Sequence, residues 1–321
     1  MSEINNVKVS VYDIEKYAEL LVDKNILLIG EDESTGKIFD ILSHEFENHT
    51  SCKSVTWPKV CVLLDRVAKS DKGEMISTVV RVADKKLNDG RAFVDMFLSD
   101  YMDGPINEAD IVIVTGGCGM EANSKIVKYL IGMRKQFMVR TPLSLVMEPD
   151  IFQCIKLNEV WVGTYGASVE RTRKKIERAV WQEEMTIEDL DESYCWMTNI
   201  EHTRSHESGI FRTMAENLSE NKELIEYLER DYGEVEYHRY ENLDDTFIDV
   251  PVLSAVPTDF DGCMGVPVEF LVTYDPERFD IVSFMKGSSS FINTGKNEPV
   301  FVKGSGSNRR VGARLIIKRK K

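Results

Sequence analysis

Short apolar runs alternate with helix-like segments over the first half of the chain, and this alternation limits the fold more than any other feature. Residues 25–30, Ile111–Val114 and 136–139 are apolar runs with the length of buried strands. Residues 122–134 and 150–157 carry apolar side chains at helical spacing. Strands that alternate with helices predict βαβ units. We therefore predict an α/β protein with a doubly wound, mostly parallel sheet.

The second half of the chain has a different composition, which predicts a separate region. Residues 217–231 have the pattern of one polar helix, and short β-like segments with turn residues follow it. Gly262, Gly265 and Pro267 are typical of a tight turn. We predict a cofactor-binding core over residues 1–180. The C-terminal part, residues 181–321, is predicted to complete the sheet and to add a small β-rich portion.

Composition and charge exclude several classes of protein. The chain has 321 residues and a net charge of −14, and no apolar run is long enough for a membrane span. Six scattered cysteines without a CxxC pair predict reduced thiols and no metal site, and the lack of a signal core or membrane span predicts a cytoplasmic location. The net charge argues against nonspecific binding to nucleic acid. Residues 309–321, however, contain seven Lys or Arg and no acid, which is typical of either a solvated tail or a local DNA-binding surface.

One predicted strand ends in a loop that is a candidate for chemistry. Ile111–Val114 runs directly into Thr115, Gly116, Gly117 and Cys118. In open α/β sheets, ligands bind outside the carboxyl ends of the strands, so we expect this loop to carry the functional residues. Cys118 is either a nucleophile or a small residue that fills space, because free cysteines are most often packing residues.

Three sequence blocks, in order along the chain, resemble one family. They are the strand and acidic loop at 29–32, the block WMTNIEHTRSHE at 196–207, and the block at 261–279 that begins DGCMGVP. Together with a basic C-terminal strand, they resemble the EcoRI-type adenine-specific DNA methyltransferases. The resemblance implies a class I S-adenosyl-L-methionine-dependent methyltransferase fold with S-adenosyl-L-methionine as cofactor. It also implies double-stranded DNA as partner, faced by the C-terminal β-rich portion, and a role in restriction–modification.

The resemblance also implies roles for individual residues. The implied cofactor-binding residues are Gly30, Glu31, Asp32 and Asp110, although an acid at position 31 or 32 also suits a helix N-cap. The implied catalytic residues, where the family has Asn-Pro-Pro-Phe, are Thr115, Gly116, Gly117 and Cys118. The implied DNA-binding residues are His202, Arg204, His206, Arg309, Arg310, Arg314 and Lys318.

The catalytic loop departs from the family's pattern at each of its four positions. In the family, the asparagine and a proline carbonyl accept hydrogen bonds from the adenine amine, and the aromatic ring stacks on the extruded base. Thr115 can accept one such bond through its hydroxyl but lacks the amide geometry, and Cys118 offers no stacking face. We therefore predict a methyltransferase relative whose adenine chemistry is altered or impaired.

Alternatives to this prediction remain open from the sequence. The first is a catalytically inactive protein that binds DNA or another partner. The second is attack on a pyrimidine by Cys118, because the loop of cytosine carbon-5 methyltransferases reads G-P-P-C and its cysteine is the nucleophile. A second subunit that supplies the missing catalytic residues is a further alternative.

Overall fold

The chain divides into two compact units, Met1–Thr172 with Asp191–Arg204, and Arg173–Leu190 with Ser205–Lys321. The predicted division after residue 180 differs from this one, because Tyr194–Thr198 pairs as a strand within the first unit. The computed structural model describes residues 17–21, 24–30, 54–57, 66–67, 100–115, 119–163, 194–201, 212–240, 243, 246–286, 289–290 and 313–320.

A mostly parallel sheet forms the core of the first unit. Within the described residues it has seven strands in the order β3-β2-β1-β4-β5-β7-β6. Their bounds are β1 Asn25–Ile29, β2 Ser54–Trp57, β3 Arg66–Val67, β4 Ile111–Val114, β5 Gln136–Pro142, β6 Trp161–Val162 and β7 Tyr194–Thr198. The pairs β1–β2, β1–β4 and β4–β5 are parallel, whereas β2–β3, β5–β7 and β6–β7 are antiparallel. The α/β class and the strand Ile111–Val114 are thereby confirmed.

Three α-helices are described in the first unit. They are α1 Asp100–Glu108, α2 Gly119–Gly132 and α3 Pro149–Lys156, with 3₁₀ helices at Ala18–Leu21 and Leu143–Met147. Helix α2 joins β4 to β5 and packs against β5. It buries Ile126, Val127 and Leu130, the apolar face that the helical spacing predicts. No helix in the described parts of the chain is long and apolar enough to cross a membrane.

The second unit has its own mixed sheet. Five strands in its described part have the order β11-β10-β12-β9-β8, in which only β8 and β9 are parallel. Their bounds are β8 Phe247–Asp249, β9 Cys263–Pro267, β10 Phe279–Lys286, β11 Ser289–Ser290 and β12 Arg314–Arg319. The helices are α4 Met214–Glu220 and α5 Lys222–Tyr232, with 3₁₀ helices at Leu253–Ala255 and Val268–Val272.

The polar helix predicted over residues 217–231 is in fact two helices. The chain leaves the helical conformation at Asn221, which ends α4 and is the N-cap of α5. Its Oδ1 accepts a hydrogen bond from the Leu224 N–H, and its Nδ2 donates to Ser254. The break is therefore stabilised by a local cap and by contacts 33 residues away, which helical spacing does not reveal.

Gly265 lies in the middle of a strand, so the prediction of a tight turn there is wrong. It belongs to β9 and pairs with Ile316 of β12. A Cβ atom at Gly265 would lie 1.9 Å from the hydroxyl oxygen of Tyr240. Glycine is required here because the buried Tyr240 ring lies directly on the strand backbone.

Candidate active site

Three neighbouring strands of the first sheet carry a row of residues at the level where β1 and β4 end, while β5 continues to Pro142. Ile29 of β1 pairs with Val114 of β4, and Val114 pairs with Val139 of β5. The residues that follow these three positions are Gly30, Thr115 and Arg140. We call these three residues the carboxyl-edge row.

The carboxyl-edge row lies at the point where the strand order reverses. Strands β2 and β3 lie on one side of β1, and β4, β5, β7 and β6 lie on the other. In open α/β sheets, ligands bind in the crevice at the carboxyl ends of the strands beside such a switch point. Gly30 and Thr115 are the residues that flank it.

Thr115 is buried and bonded to the neighbouring strand. Its main-chain N–H donates to the carbonyl oxygen of Ile29 at 2.9 Å, and its hydroxyl donates to the same oxygen at 3.3 Å. A threonine hydroxyl has one proton and two acceptor lone pairs. Because the proton points at Ile29, Thr115 can serve a ligand at this edge as an acceptor.

Arg140 lies next to Thr115 in the row, and its guanidinium lies over an aromatic ring. Its guanidinium carbon lies 4.4 Å from the ring centroid of Tyr194, on the adjacent strand β7. Both side chains are partly buried. Burial raises the pKa of the nearby Cys195 thiol to about 12, and the positive charge of Arg140 opposes this shift. Sequence reasoning missed Arg140 and Tyr194, because their proximity depends on the pairing of β5 with β7.

Asn123 of helix α2 holds a polar contact near the same edge. Its Nδ2 donates to the hydroxyl oxygen of Thr141 at 3.2 Å, and both residues are fully buried. Among the described residues, the Oδ1 atom of Asn123 is buried and has no hydrogen-bond partner. Thr141 directly follows Arg140, and α2 begins directly after the Thr-Gly-Gly-Cys segment. Unpartnered buried carbonyls are uncommon, so Asn123 is a candidate functional residue that the sequence did not indicate.

Comparison with known proteins assigns the chain to a family. The sequence model described as Adenine-specific methyltransferase EcoRI matches residues 59–320. The chain belongs to this family.

One curated relative of this family is the Type II methyltransferase M.EcoRI of Escherichia coli. It is 26% identical to the chain over 193 residues, which cover 57% of this chain and 52% of the relative. The match therefore spans about half the length of that relative. No solved structure matches the chain.

Asp110 lies at the opposite edge of the sheet from the other implied cofactor residues. Its Oδ2 accepts hydrogen bonds from the main-chain N–H and the side-chain amide of Asn25, at 2.7 and 3.0 Å. Asn25 begins β1 and Asp110 precedes β4, so the pair closes the amino ends of the two strands. This placement corrects the prediction for Asp110, because Gly30 and Thr115 lie at the carboxyl ends.

Asn199, in the block that resembles the family, also lies at the amino end of β5. Its Nδ2 donates to the Lys135 carbonyl at 2.7 Å, and its Oδ1 accepts from the Phe137 N–H at 3.0 Å. These bonds join the end of β7 to the start of β5. The contribution of this asparagine is therefore structural.

Arg314 and Lys318 both lie on β12, in different environments. The Arg314 side chain is buried and donates to Asp249 Oδ1 at 3.1 Å, whereas Lys318 is exposed. A guanidinium that is buried in an ion pair is not displayed to a phosphate backbone. This corrects the prediction that Arg314 contacts DNA and leaves Lys318 as a surface residue.

The remaining implied site residues lie outside the described residues. They are Glu31, Asp32, Gly116, Gly117, Cys118, His202, Arg204, His206, Arg309 and Arg310. Within the described part of the chain, no group of three or more His, Cys, Asp or Glu side chains could hold a metal ion.

Proposed function

We propose that this protein is an S-adenosyl-L-methionine-dependent DNA methyltransferase whose adenine chemistry is altered or impaired. Membership of the EcoRI adenine-specific methyltransferase family supports the reaction class. The name of the relative, a Type II methyltransferase, supports a role in restriction–modification. The observation that carries the proposal is the position of Thr115, buried at the switch point with its hydroxyl bonded to Ile29.

We propose the class I, doubly wound arrangement for the first unit. The reversal of strand order between β1 and β4 supports it, as does the antiparallel strand β7 beside β5. Helix α2, which connects the parallel strands β4 and β5, is the crossover that such an arrangement requires.

The carboxyl ends of β1 and β4 fit a nucleoside-like methyl donor. Gly30 adds no side chain at the switch point. In open α/β sheets, nucleotide-like ligands bind in the crevice at the carboxyl ends of the strands beside such a point. In this proposal Gly30, Glu31 and Asp32 bind S-adenosyl-L-methionine, the two acids through its ribose hydroxyls. Asp110 is left out because it lies at the opposite edge. S-adenosyl-L-methionine, when bound, supplies a methyl group activated by a positively charged sulfur.

Methylation of an adenine amine requires acceptors that orient the amine, and this limits what Thr115 can do. The proposed loop, in place of Asn-Pro-Pro-Phe, presents the hydroxyl oxygen of Thr115 and no side-chain amide. Its hydroxyl proton is donated to Ile29, so toward a substrate the hydroxyl can act only as an acceptor. Loss of a comparable preorganised contact reduces the rate by about 10²–10³. We therefore propose slow methylation of adenine or transfer to another base.

We propose that DNA is bound by basic side chains of the C-terminal half. Lys318, near the end of β12, belongs to this proposed surface. Its other proposed members are His202, Arg204, His206, Arg309 and Arg310. Because the net charge is −14, binding should depend steeply on salt and on local contacts with phosphates.

The experiment that tests this function is product analysis. The pure protein is incubated with labelled S-adenosyl-L-methionine and mixed-sequence DNA, and the nucleosides are identified by mass spectrometry. Slow formation of methyladenine supports the proposal, and methyladenine at normal turnover contradicts the impairment.

Other products decide between the alternatives. A methylated pyrimidine that disappears in Cys118→Ser supports covalent attack instead. DNA binding without any product supports the inactive alternative, and product that appears only with an added partner supports a second subunit.

A further inference from the structure

We propose that Arg140 binds a phosphate of the DNA strand next to the extruded base, and that Tyr194 holds its guanidinium in position. This inference rests on the proposed function, because it needs DNA at the carboxyl edge of the first sheet. It assigns a DNA contact to a strand of the first sheet, whereas the DNA-binding residues that the sequence suggested all follow residue 200.

The position of Arg140 relative to Thr115 is the first argument. The two residues directly follow the paired residues Val114 and Val139, so they are neighbours on adjacent parallel strands. Adjacent strands lie about 4.8 Å apart, and residues at the same level point to the same face. Arg140 therefore places a permanent positive charge beside the residue that begins the proposed catalytic loop.

The contact with Tyr194 is the second argument. Arg140 pairs with Trp196 across the β5–β7 ladder, and Tyr194 lies two residues before Trp196 on the same face. Two paired strands thus fix the guanidinium 4.4 Å from the ring centroid. A cation–π contact of this kind is made by the positive charge over the ring, and the guanidinium carries its N–H donors in the plane of the group. These in-plane donors match the spacing of two phosphate oxygens.

The charge balance of methyl transfer favours a phosphate over the reacting amine as the partner of Arg140. In the transfer, the sulfur–carbon bond breaks and a nitrogen–carbon bond forms. The sulfur becomes neutral, and the amine carries the positive charge until it loses a proton. A guanidinium in contact with that amine would oppose the transfer. A phosphate beside the extruded nucleotide is attracted to the guanidinium, and in a chain of net charge −14 such local cations must supply the attraction.

The test measures how DNA affinity depends on salt for Arg140→Gln and for a matched control. Lys156→Gln is the control, because Lys156 is also a cation beside an aromatic ring, Phe152, but lies in the last turn of helix α3. We expect Arg140→Gln to weaken binding to all sequences and to reduce the slope of log K against log salt by about 0.9. Lys156→Gln should leave the slope unchanged. Thermal melting followed by circular dichroism checks that each variant is folded.

Further variants separate the phosphate contact from other uses of Arg140. Tyr194→Phe should bind DNA like the wild type, because it keeps the ring, and Tyr194→Leu should bind more weakly. Lower affinity of Arg140→Gln with an unchanged salt slope would overturn the inference in favour of stacking on the base. A third outcome concerns the cofactor. If Arg140→Gln binds S-adenosylhomocysteine more weakly in calorimetry and keeps the wild-type salt slope for DNA, Arg140 contacts the carboxylate of the methyl donor instead, and the inference is overturned. Failure of the wild type to bind DNA would overturn the proposed function itself.

Discussion

The hydroxyl of Thr115 donates a hydrogen bond to the main-chain carbonyl of Ile29, 3.3 Å away, and so joins the end of β4 to the end of β1. These are the two strands on either side of the switch point. The same hydroxyl therefore stabilises the sheet as a donor and, in our proposal, accepts a hydrogen bond from the substrate amine.

Substitution Thr115→Val should separate these two contributions. Valine keeps the shape of the buried side chain but removes the hydroxyl. The free energy of unfolding should therefore fall by about 1 kcal/mol, the net contribution of one hydrogen bond. If the oxygen also accepts from the substrate amine, methyl transfer should fall by about 10²–10³. Denaturant titration measures the first effect and nucleoside mass spectrometry the second. Thr115→Ser keeps the hydroxyl and is the control; wild-type turnover by Thr115→Val would contradict the acceptor role.

Loss of the polar group of Asn123 and loss of that of Thr141 should have different effects on the stability of the protein. Asn123→Leu removes a buried carbonyl that has no partner among the described residues, and the Thr141 hydroxyl that loses the amide keeps its own bond to the Pro142 carbonyl. Its stability should therefore be close to that of the wild type. Thr141→Val instead leaves the Asn123 amide without its acceptor and should cost about 1–3 kcal/mol. Chemical denaturation of the two variants provides the comparison. A strongly destabilised Asn123→Leu would mean that the Oδ1 atom has a stabilising partner.

Arg314 should prove essential for stability, in contrast to Lys318 on the same strand. Arg314→Met leaves the buried Asp249 carboxylate without its cation, and removal of one partner of a buried pair costs about 3–5 kcal/mol. The remaining bond from the Tyr240 hydroxyl, 2.6 Å from Asp249, does not neutralise that charge. The exposed Lys318→Met should change stability by less than about 0.5 kcal/mol. Equal unfolding midpoints for the two variants would contradict the buried pair.

The buried thiol of Cys195 should make stability depend on pH in alkaline solution. Burial raises its pKa from an ordinary value of 9.0 to about 12, against the opposing charge of Arg140. The unfolded chain therefore ionises first, so the contribution of this group to stability is complete below pH 9 and is lost as the pH rises from 9 towards 12. The denaturation midpoint, measured across this range, should fall less steeply in Cys195→Ala. The same slope in both proteins would contradict the prediction.

The parallel strands β1, β4 and β5 and the family could be predicted from the sequence, because the signal for each lies in a short contiguous stretch. Ile111–Val114 is an unbroken apolar run, and all four side chains are buried with at most 1% exposure. A run of that kind has few alternatives to a central strand in a parallel sheet. The sequence blocks that resemble the family are likewise contiguous, and the family match over residues 59–320 covers the second and third of them.

The partners of polar and charged side chains were decided only by the tertiary structure. Asp110 bonds to Asn25, 85 residues away, and Arg314 pairs with Asp249, 65 residues away. A charged residue in a sequence looks the same whether it will meet DNA or a buried carboxylate. Desolvation and pairing separate these outcomes, and both depend on what the folded chain brings within hydrogen-bonding distance.

By itself, the sequence determined the α/β class, the strand that leads to the candidate loop and membership of the methyltransferase family. The tertiary structure decided that Thr115 is bonded to Ile29, that Arg140 lies against Tyr194, and that Gly265 makes room for Tyr240. The physical reason is the separation along the chain over which each effect acts. Apolar periodicity acts between near neighbours along the chain, whereas strand pairing sets the contacts between distant residues, on which the chemistry of this site depends.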